Sequence, residues 1–93
     1  MRCLAVITLA LLVLTGCQTT TQSFKPDYGT GHAAWKQKDY ATALKHYRSL
    51  AKQGHAGAQN NLGQMYYMGL GVTRDPKEAV RWYRKAAKQG HYL

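Results

Sequence analysis

Acidic residues and cysteines are scarce in this sequence of 93 residues. It has 4 Asp and Glu against 13 Lys and Arg, which gives a net charge of +9. Both cysteines, Cys3 and Cys17, precede the polar part of the chain, so no disulfide can stabilise a domain beyond them. A chain of this length forms one domain at most and buries only about 60 % of its unfolded surface. The basic excess favours anionic surfaces or polymers as neighbours.

The N-terminus has the pattern of a secretory signal peptide. Met1-Arg2 precedes an uncharged apolar run from Cys3 to Leu14, which is too short to span a membrane as a helix. Leu14-Thr15-Gly16-Cys17 then resembles the lipobox of bacterial lipoproteins. The alternative, a short buried helix with an inert cysteine, fits poorly because the polar run QTTTQS follows directly.

The lipobox resemblance implies cleavage before Cys17, a diacylglyceryl group on its thiol and, usually, a fatty acyl chain on its new amino group. Several acyl chains on one residue give stable anchoring. In a host with two membranes, Gln18 is compatible with transport to the outer membrane, because the familiar retention signal at that position is aspartate. The expected product is a lipoprotein of the outer membrane that faces the periplasm.

The rest of the chain repeats itself. The stretch AKQGH occurs at residues 51–55 and again at 87–91, and the same 36-residue offset matches the preceding helical patterns. Each pattern predicts an amphipathic helix, because apolar residues recur at helical spacing. Asp39 and Gly54 are suited to cap the first of these helices, and Asp75 and Gly90 the second.

The second of these helices has further start signals. Pro76 suits the first helical position, and Glu78 is placed to reciprocate the Asp75 cap in a capping box. A shorter pattern precedes each helix, from Ala56 to Met68 in the second unit and, more weakly, from Gly31 to Gln37 in the first. If Trp35 matches Tyr66, the turn inside the second unit is longer by five residues.

The second unit resembles the Sel-one-like repeat, a relative of the tetratricopeptide repeat that folds as an antiparallel helix pair. The first unit is closer to a tetratricopeptide unit or a degenerate Sel-one-like one. The resemblance implies an all-α fold, a short α-solenoid of two antiparallel helix pairs. It rests on Leu62-Gly63, Tyr66, Gly69, Gly71-Val72, Asp75, Ala79, Trp82-Tyr83, Ala86-Ala87 and Gly90.

The chain therefore divides into a signal peptide (1–16), a lipidated cysteine with a flexible linker (17–30), a degenerate tetratricopeptide-like repeat (31–54) and a Sel-one-like repeat (55–93). Two sets of residues in the repeats are expected inside the fold. Small residues are predicted where helix backbones approach closely, and aromatic residues where the gaps are wider. The small residues are Ala43, Gly63, Ala79 and Ala87, and the aromatic residues are Tyr47, Tyr66, Trp82 and Tyr83.

Two candidate surfaces remain. The second helices carry basic residues in repeat register, which predicts either a surface for anionic lipid or polymer or an ordinary solvated face; they are Lys45, Arg48, Lys52, Arg81, Arg84 and Lys88. The helix from Ala56 to Met68 has no charge, and Asn60, Gln64 and Tyr67 lie on its polar side. First helices line the peptide-binding concave face in the resembled families. These three residues are therefore either partner-binding or solvated filler.

Catalysis has little support. The acidic residues are accounted for at helix starts and in the linker, and no serine or cysteine has an activating partner. The histidines do not have the spacing of a metal site (His32, His46, His55 and His91). We expect no catalytic residue, no metal and no cofactor. The run RWYRK at 81–85 is also what an amphipathic helix produces, and export argues against nucleic acid as a partner.

Two functions are consistent with these features. The first is a lipid-anchored protein-interaction module, an adaptor for an envelope protein or peptide. The second is a structural or protective envelope component that binds anionic lipid or polymer through its basic residues. Two repeats are fewer than stacked arrays normally need, which is consistent with a homo-oligomer or with stacking on a larger repeat protein. A linker folded back over the open end would serve equally well, and a marginal monomer is the other alternative.

Overall fold

A computed structural model describes residues 23–90 as four helices. They are α1 (Tyr28–Lys36), α2 (Tyr40–Lys52), α3 (Ala56–Met68) and α4 (Pro76–Lys88). The pairs α1·α2 and α3·α4 each pack together across a short connection, and α2 packs on α3 to join the two pairs. The predicted short all-α solenoid is confirmed. The leader, Cys17, Gln18 and His91 lie outside the described residues.

Helix ends follow the local signals closely. The carboxylate of Asp39 accepts the N–H of Thr42 at 3.3 Å, and that of Asp75 accepts the N–H of Glu78 at 3.2 Å. Gly54 and Gly90 follow α2 and α4 in the left-handed conformation, with φ of +94° and +85°. The four predicted caps are confirmed. They could be predicted because each depends on residues within one turn of the helix end.

The predicted capping box is only half formed. Glu78 does not reciprocate, since the N–H of Asp75 donates to the carbonyl of Tyr66 at 2.8 Å. The Glu78 carboxylate instead accepts from Arg81 at 2.9 Å and from the indole N–H of Trp82 at 3.1 Å. This second bond satisfies a polar group of a buried aromatic residue, which explains how Trp82 can replace the histidine of the first repeat.

The first helix begins earlier than predicted, at Tyr28 rather than Gly31, so the expected linker ends at residue 27. Asp27 is the cap: its carboxylate accepts from the N–H and the hydroxyl of Thr30, both at 2.7 Å. These hydrogen bonds lower the pKa of Asp27. The Asp27 N–H donates to Nδ1 of the buried His46 at 3.0 Å, which fastens the start of α1 to α2.

The core lies between the two helix pairs. Tyr47, Leu62 and Met65 are its largest completely buried side chains, and Trp82 is buried beside them. Tyr66 and Tyr83 are half-buried, so the core prediction holds fully for two of the four aromatic residues. Among the predicted small residues, Ala43, Gly63 and Ala79 are buried and Ala87 is half-buried.

Two glycines show which residues of α1 and α3, the first helices of the two repeats, are equivalent. A Cβ on Gly31 would lie 3.2 Å from the Tyr47 ring, and one on Gly63 would lie 2.8 Å from the Tyr83 ring. Tyr47 and Tyr83 are repeat equivalents, so Gly31 corresponds to Gly63 and Trp35 to Tyr67. The second connection is therefore longer by four residues, and the predicted match of Trp35 to Tyr66 is wrong by one position.

The Asp75 cap gives a first testable prediction. Asp75→Ala is expected to lower the free energy of unfolding by about 1 kcal/mol, because an orphan N–H of the first turn loses its acceptor. Lys77→Ala, an exposed change in the same turn, is the control and is expected to have a far smaller effect. Thermal melts followed by helical circular dichroism measure both. Equal, negligible effects would contradict a stabilising cap at Asp75.

Candidate interaction surfaces

The amide–phenol stripe, which we define as Asn60, Gln64 and Tyr67, follows one side of α3. The Tyr67 side chain is 53 % exposed, and Met68 beside it is 52 % exposed, while Asn60 and Gln64 are half-buried. The helix has no charged residue, so the stripe offers amide and phenol groups together with apolar surface. These properties suit hydrogen bonding to another protein without a charge requirement.

The Tyr67 end of the stripe lies close to α4. The backbone of Gly63 contacts the Tyr83 ring, and burial and then the nearby Tyr67 phenol raise the pKa of Tyr83. Arg74, in the connection before α4, also contacts Tyr67. Its Nε donates to the Tyr67 carbonyl at 2.9 Å, and its guanidinium lies 5.5 Å from the ring centroid.

The equivalent positions of the first repeat are Tyr28, His32 and Trp35, which the sequence analysis missed. Here α3 packs nearby: the Tyr28 hydroxyl accepts from Nδ2 of Asn61 at 2.8 Å, and its ring stacks on His55 at 4.8 Å. The sequence did contain a signal for these positions: the first helices of the two repeats correspond at an offset of 32 residues. The second helices correspond at 36 residues, because the second connection is longer by four. In repeat one Tyr28 thus contacts the start of α3 and Trp35 is half-buried, whereas in repeat two Tyr67, the equivalent of Trp35, is exposed.

Further contacts fix the joint between the repeats. Gln59 is buried, donates to the carbonyl of Ala51 at 3.1 Å and accepts from Gln89 at 2.9 Å, so it connects three helices. His55 caps α3 by accepting the N–H of Ala58 at 3.0 Å. Among residues 23–90, the buried hydroxyl of Tyr47 has no hydrogen-bond partner. Burial, followed by the Tyr28 phenol, raises the pKa of Tyr47 to about 12. These groups are structural.

The basic stripe of α2 consists of Lys45, Arg48 and Lys52. Lys45 and Lys52 are exposed, and Arg48 is half-buried with its guanidinium 3.5 Å from the Tyr66 hydroxyl of α3. Long side chains here enclose a shallow groove of about 370 Å³ that is lined by Ala41, Leu44, Lys45, Arg48, Ser49 and Lys52. The groove combines an apolar side chain, Leu44, with a basic rim.

The basic stripe of α4 consists of Arg81, Arg84 and Lys88, all exposed. Its groove, of about 380 Å³, is lined by Pro76, Lys77, Val80, Arg81 and Arg84. Val80 is the repeat equivalent of Leu44, so the two grooves occupy equivalent positions. Lys77 is an additional basic residue that the sequence analysis left out, because its equivalent in the first repeat is alanine.

Opposing charge is sparse around these grooves. Within residues 23–90, the ion pair of Arg81 with Glu78, at 2.9 Å, is the only salt bridge. In the first repeat, Thr42 stands at the position of Glu78, and Lys45 instead lies over the ring of Phe24, with Nζ 4.5 Å from its centroid. The same described region contains no group of three or more His, Cys, Asp or Glu side chains that could hold a metal ion, and no helix that is long and apolar enough to cross a membrane.

The fold and the two surfaces define a two-repeat α-solenoid. The Sel1 repeat, the Sel-one-like unit named above, matches residues 28–55 and 56–91, and the chain belongs to this tetratricopeptide-related family. Sel1 repeats generally mediate protein–protein interaction and are not enzymatic units. Both repeats match, so the first is a Sel1 repeat in spite of its short connection.

Two relatives share parts of this region. Protein sel-1 homolog 2 of Homo sapiens is 46 % identical over 57 residues, which cover 60 % of this chain and 7 % of that protein. An uncharacterised protein of Neisseria meningitidis serogroup B is 57 % identical over 35 residues, covering 38 % of this chain and 8 % of that protein. The aligned part thus spans less than a tenth of either relative, and the similarity concerns the repeat unit.

Proposed function

We propose that this chain is an adaptor of the bacterial envelope, a Sel1 interaction module held at a membrane by a lipid on Cys17. The family supports the interaction role, and the apolar leader with its lipobox-like Leu14-Thr15-Gly16-Cys17 supports the anchor. The proposed location is the outer membrane, with the repeats facing the periplasm. The proposal includes no catalytic step, no nucleic acid and no cofactor.

The observation that carries the adaptor role is the uncharged amide–phenol stripe, in which Tyr67 is exposed and Asn60 and Gln64 are half-buried. In repeat one, Tyr28 is the equivalent of Asn60, and it contacts Asn61 of α3 and His55, which caps α3. The partner is therefore proposed to present a helix that packs beside α3 and α4, with an apolar side chain against Tyr67 and polar groups within reach of Asn60 and Gln64. Such a helix can come from an envelope protein, a second copy of this chain or a larger repeat protein.

Site-specific crosslinking tests the partner surface. A photo-crosslinking amino acid at Gln64 or Tyr67 is expected to capture one defined partner in intact membranes, whereas the same group at Gln53, an exposed amide of the α2 end, is the control and captures none. Asn60→Ala together with Gln64→Ala and Tyr67→Ala should abolish capture of that partner from a reporter position at the stripe edge, Met68. Unchanged capture by the triple variant would show that the named residues do not bind it.

The second candidate, a structural or protective component without a protein partner, is favoured by the two equivalent basic grooves. Ionic strength separates the two functions, because screening reduces the Debye length to about 3 Å at 1 M salt. An adaptor contact through neutral groups is expected to persist in high salt. Loss of all envelope contacts in salt, with no partner crosslinked from α3, would replace the adaptor by the electrostatic function.

A further inference from the structure

The segment before α1 runs along α2 at the position of its basic stripe. Phe24 lies with its ring 4.9 Å from the His46 ring and 4.5 Å from the Lys45 ammonium. Three residues later, the Asp27 N–H donates to His46, so this approach is fixed at two points. Phe24 remains 39 % exposed, which leaves an aromatic side chain beside the first basic residue of the stripe.

The chain length from this point to the proposed anchor is short. Phe24 follows Cys17 by seven positions, and seven extended residues reach at most about 25 Å. A lipid on Cys17 therefore keeps Phe24 and Lys45 within about 25–30 Å of the headgroups. The α2 surface beside Phe24 is therefore the part of the repeats that the short segment keeps near the membrane. The α3 stripe has no such connection to the anchor.

This surface has the chemistry of a peripheral lipid contact. Leu44 and Val80, which is 43 % exposed, stand among basic side chains in the two grooves. On α4, four of the five exposed basic residues follow the spacing i, i+4, i+7 and i+11 from Lys77 to Lys88; the fifth is Lys85, whose ammonium lies over the Trp82 ring. Basic side chains near an anionic leaflet gain electrostatic attraction, and interspersed apolar groups reach the acyl boundary.

We propose that the outer surface of α2 and its repeat equivalent on α4 bind the anionic headgroups of the membrane that holds the lipid. Phosphate-bearing phospholipid headgroups occupy the two grooves, with Phe24, Leu44 and Val80 against the glycerol and acyl boundary. The proposal rests on the proposed anchor at Cys17. Its consequence is orientation: with the basic stripes on the membrane, the amide–phenol stripe of α3 is presented to partners away from those contacts.

Lysine labelling of the full lipoprotein in vesicles tests the orientation. An amine-reactive reagent followed by peptide mass spectrometry is expected to label Lys52, Lys77 and Lys88 several-fold more slowly in vesicles that contain phosphatidylglycerol than in pure phosphatidylcholine. Lys36 and Lys38, exposed at the end of α1, are the internal controls and keep their rates. High salt should remove the difference, since it screens the attraction.

A charge-matched pair of variants links the protection to the stripes. Lys45→Gln with Lys88→Gln removes one charge from each stripe and is expected to reduce the protection of Lys52 and Lys77. Lys36→Gln with Lys38→Gln removes the same net charge elsewhere and should leave that protection unchanged. Equal loss in both variants would mean that net charge alone acts, which overturns binding by the stripes.

The remaining outcomes assign the surface differently. Protection of the stripe lysines in native membranes but not in phosphatidylglycerol vesicles would identify an acidic protein or an anionic polymer as the occupant and overturn the lipid proposal. The mass of the Cys17 peptide reports the anchor separately. If Cys17 carries lipid and no stripe lysine is protected, the headgroup contact fails alone; if Cys17 carries none but added anionic vesicles protect the stripes, only the anchor fails.

Discussion

Gly63→Ala is expected to lower the free energy of unfolding by about 2 kcal/mol, in the range typical of overpacked cores. In an exposed helix interior the same change is normally stabilising, because glycine loses more backbone freedom on folding than alanine does. At Gly63 the added Cβ would lie 2.8 Å from the Tyr83 ring and 3.1 Å from the Ala79 carbonyl. The ring can rotate, but the carbonyl moves only if α4 moves away from α3.

Gly29→Ala is the matched control, because Gly29 is also helical but exposed, with Oδ2 of Asp27 as the nearest atom to an added Cβ at 3.4 Å. It is expected to leave stability unchanged or raise it by up to about 1 kcal/mol. Urea unfolding of the chain without its leader, followed by circular dichroism, compares the two. If Gly63→Ala is as well tolerated as Gly29→Ala, the close approach of α3 and α4 at this point is not required.

The helix ends were accessible from the sequence because their signals are local. Asp39, Asp75, Gly54 and Gly90 act within one turn of the backbone they cap, and tertiary packing does not alter that role. The start of α1 was not predicted, because it depends in part on a contact that is distant in sequence. Asp27 caps a helix of only nine residues, and part of what fixes it is a hydrogen bond to His46, 19 positions away.

The candidate surfaces show a similar division. Periodicity alone placed Lys45, Lys52 and Tyr67 on exposed helix sides, because helical geometry determines which residues share a side. It could not show that Phe24 packs on Lys45 or that Tyr67 lies beside Tyr83, since both depend on packing between segments. The equivalent positions of the two grooves were likewise not predictable, because they depend on how Leu44 and Val80 pack among the basic side chains.

Uncharged and basic surfaces on different helices allow two contacts at once. The helix α3 carries no charge, whereas Arg48, Arg81 and Arg84 belong to its neighbours α2 and α4. The proposed partner contact through amide and phenol groups is expected to be insensitive to salt, while the proposed membrane contact through the basic stripes is expected to be sensitive to it. Each contact can be removed by variants that leave the other intact, which separates adaptor function from orientation.

Cys17→Ser is expected to abolish fatty-acid labelling of the protein completely. The proposed modification forms a thioether, so a serine hydroxyl at the same position cannot replace the thiol as acceptor. Processing before residue 17 should also stop, since cleavage in the lipoproteins that Leu14-Thr15-Gly16-Cys17 resembles follows lipid attachment. The precursor with residues 1–16 accumulates, and in a host with two membranes the protein is lost from the outer-membrane fraction.

Cys3→Ser is the matched control for this prediction, because it makes the same replacement within the apolar leader. It should leave both fatty-acid labelling and processing intact, since residue 3 leaves with the leader and is not the proposed acceptor. Metabolic labelling with a palmitate analogue and the mass of the purified protein measure both variants. Lipid on the Cys17→Ser protein, or its loss in the Cys3→Ser protein alone, would refute Cys17 as the anchor and with it the membrane tether from which Phe24 and the α2 stripe derive their proposed orientation.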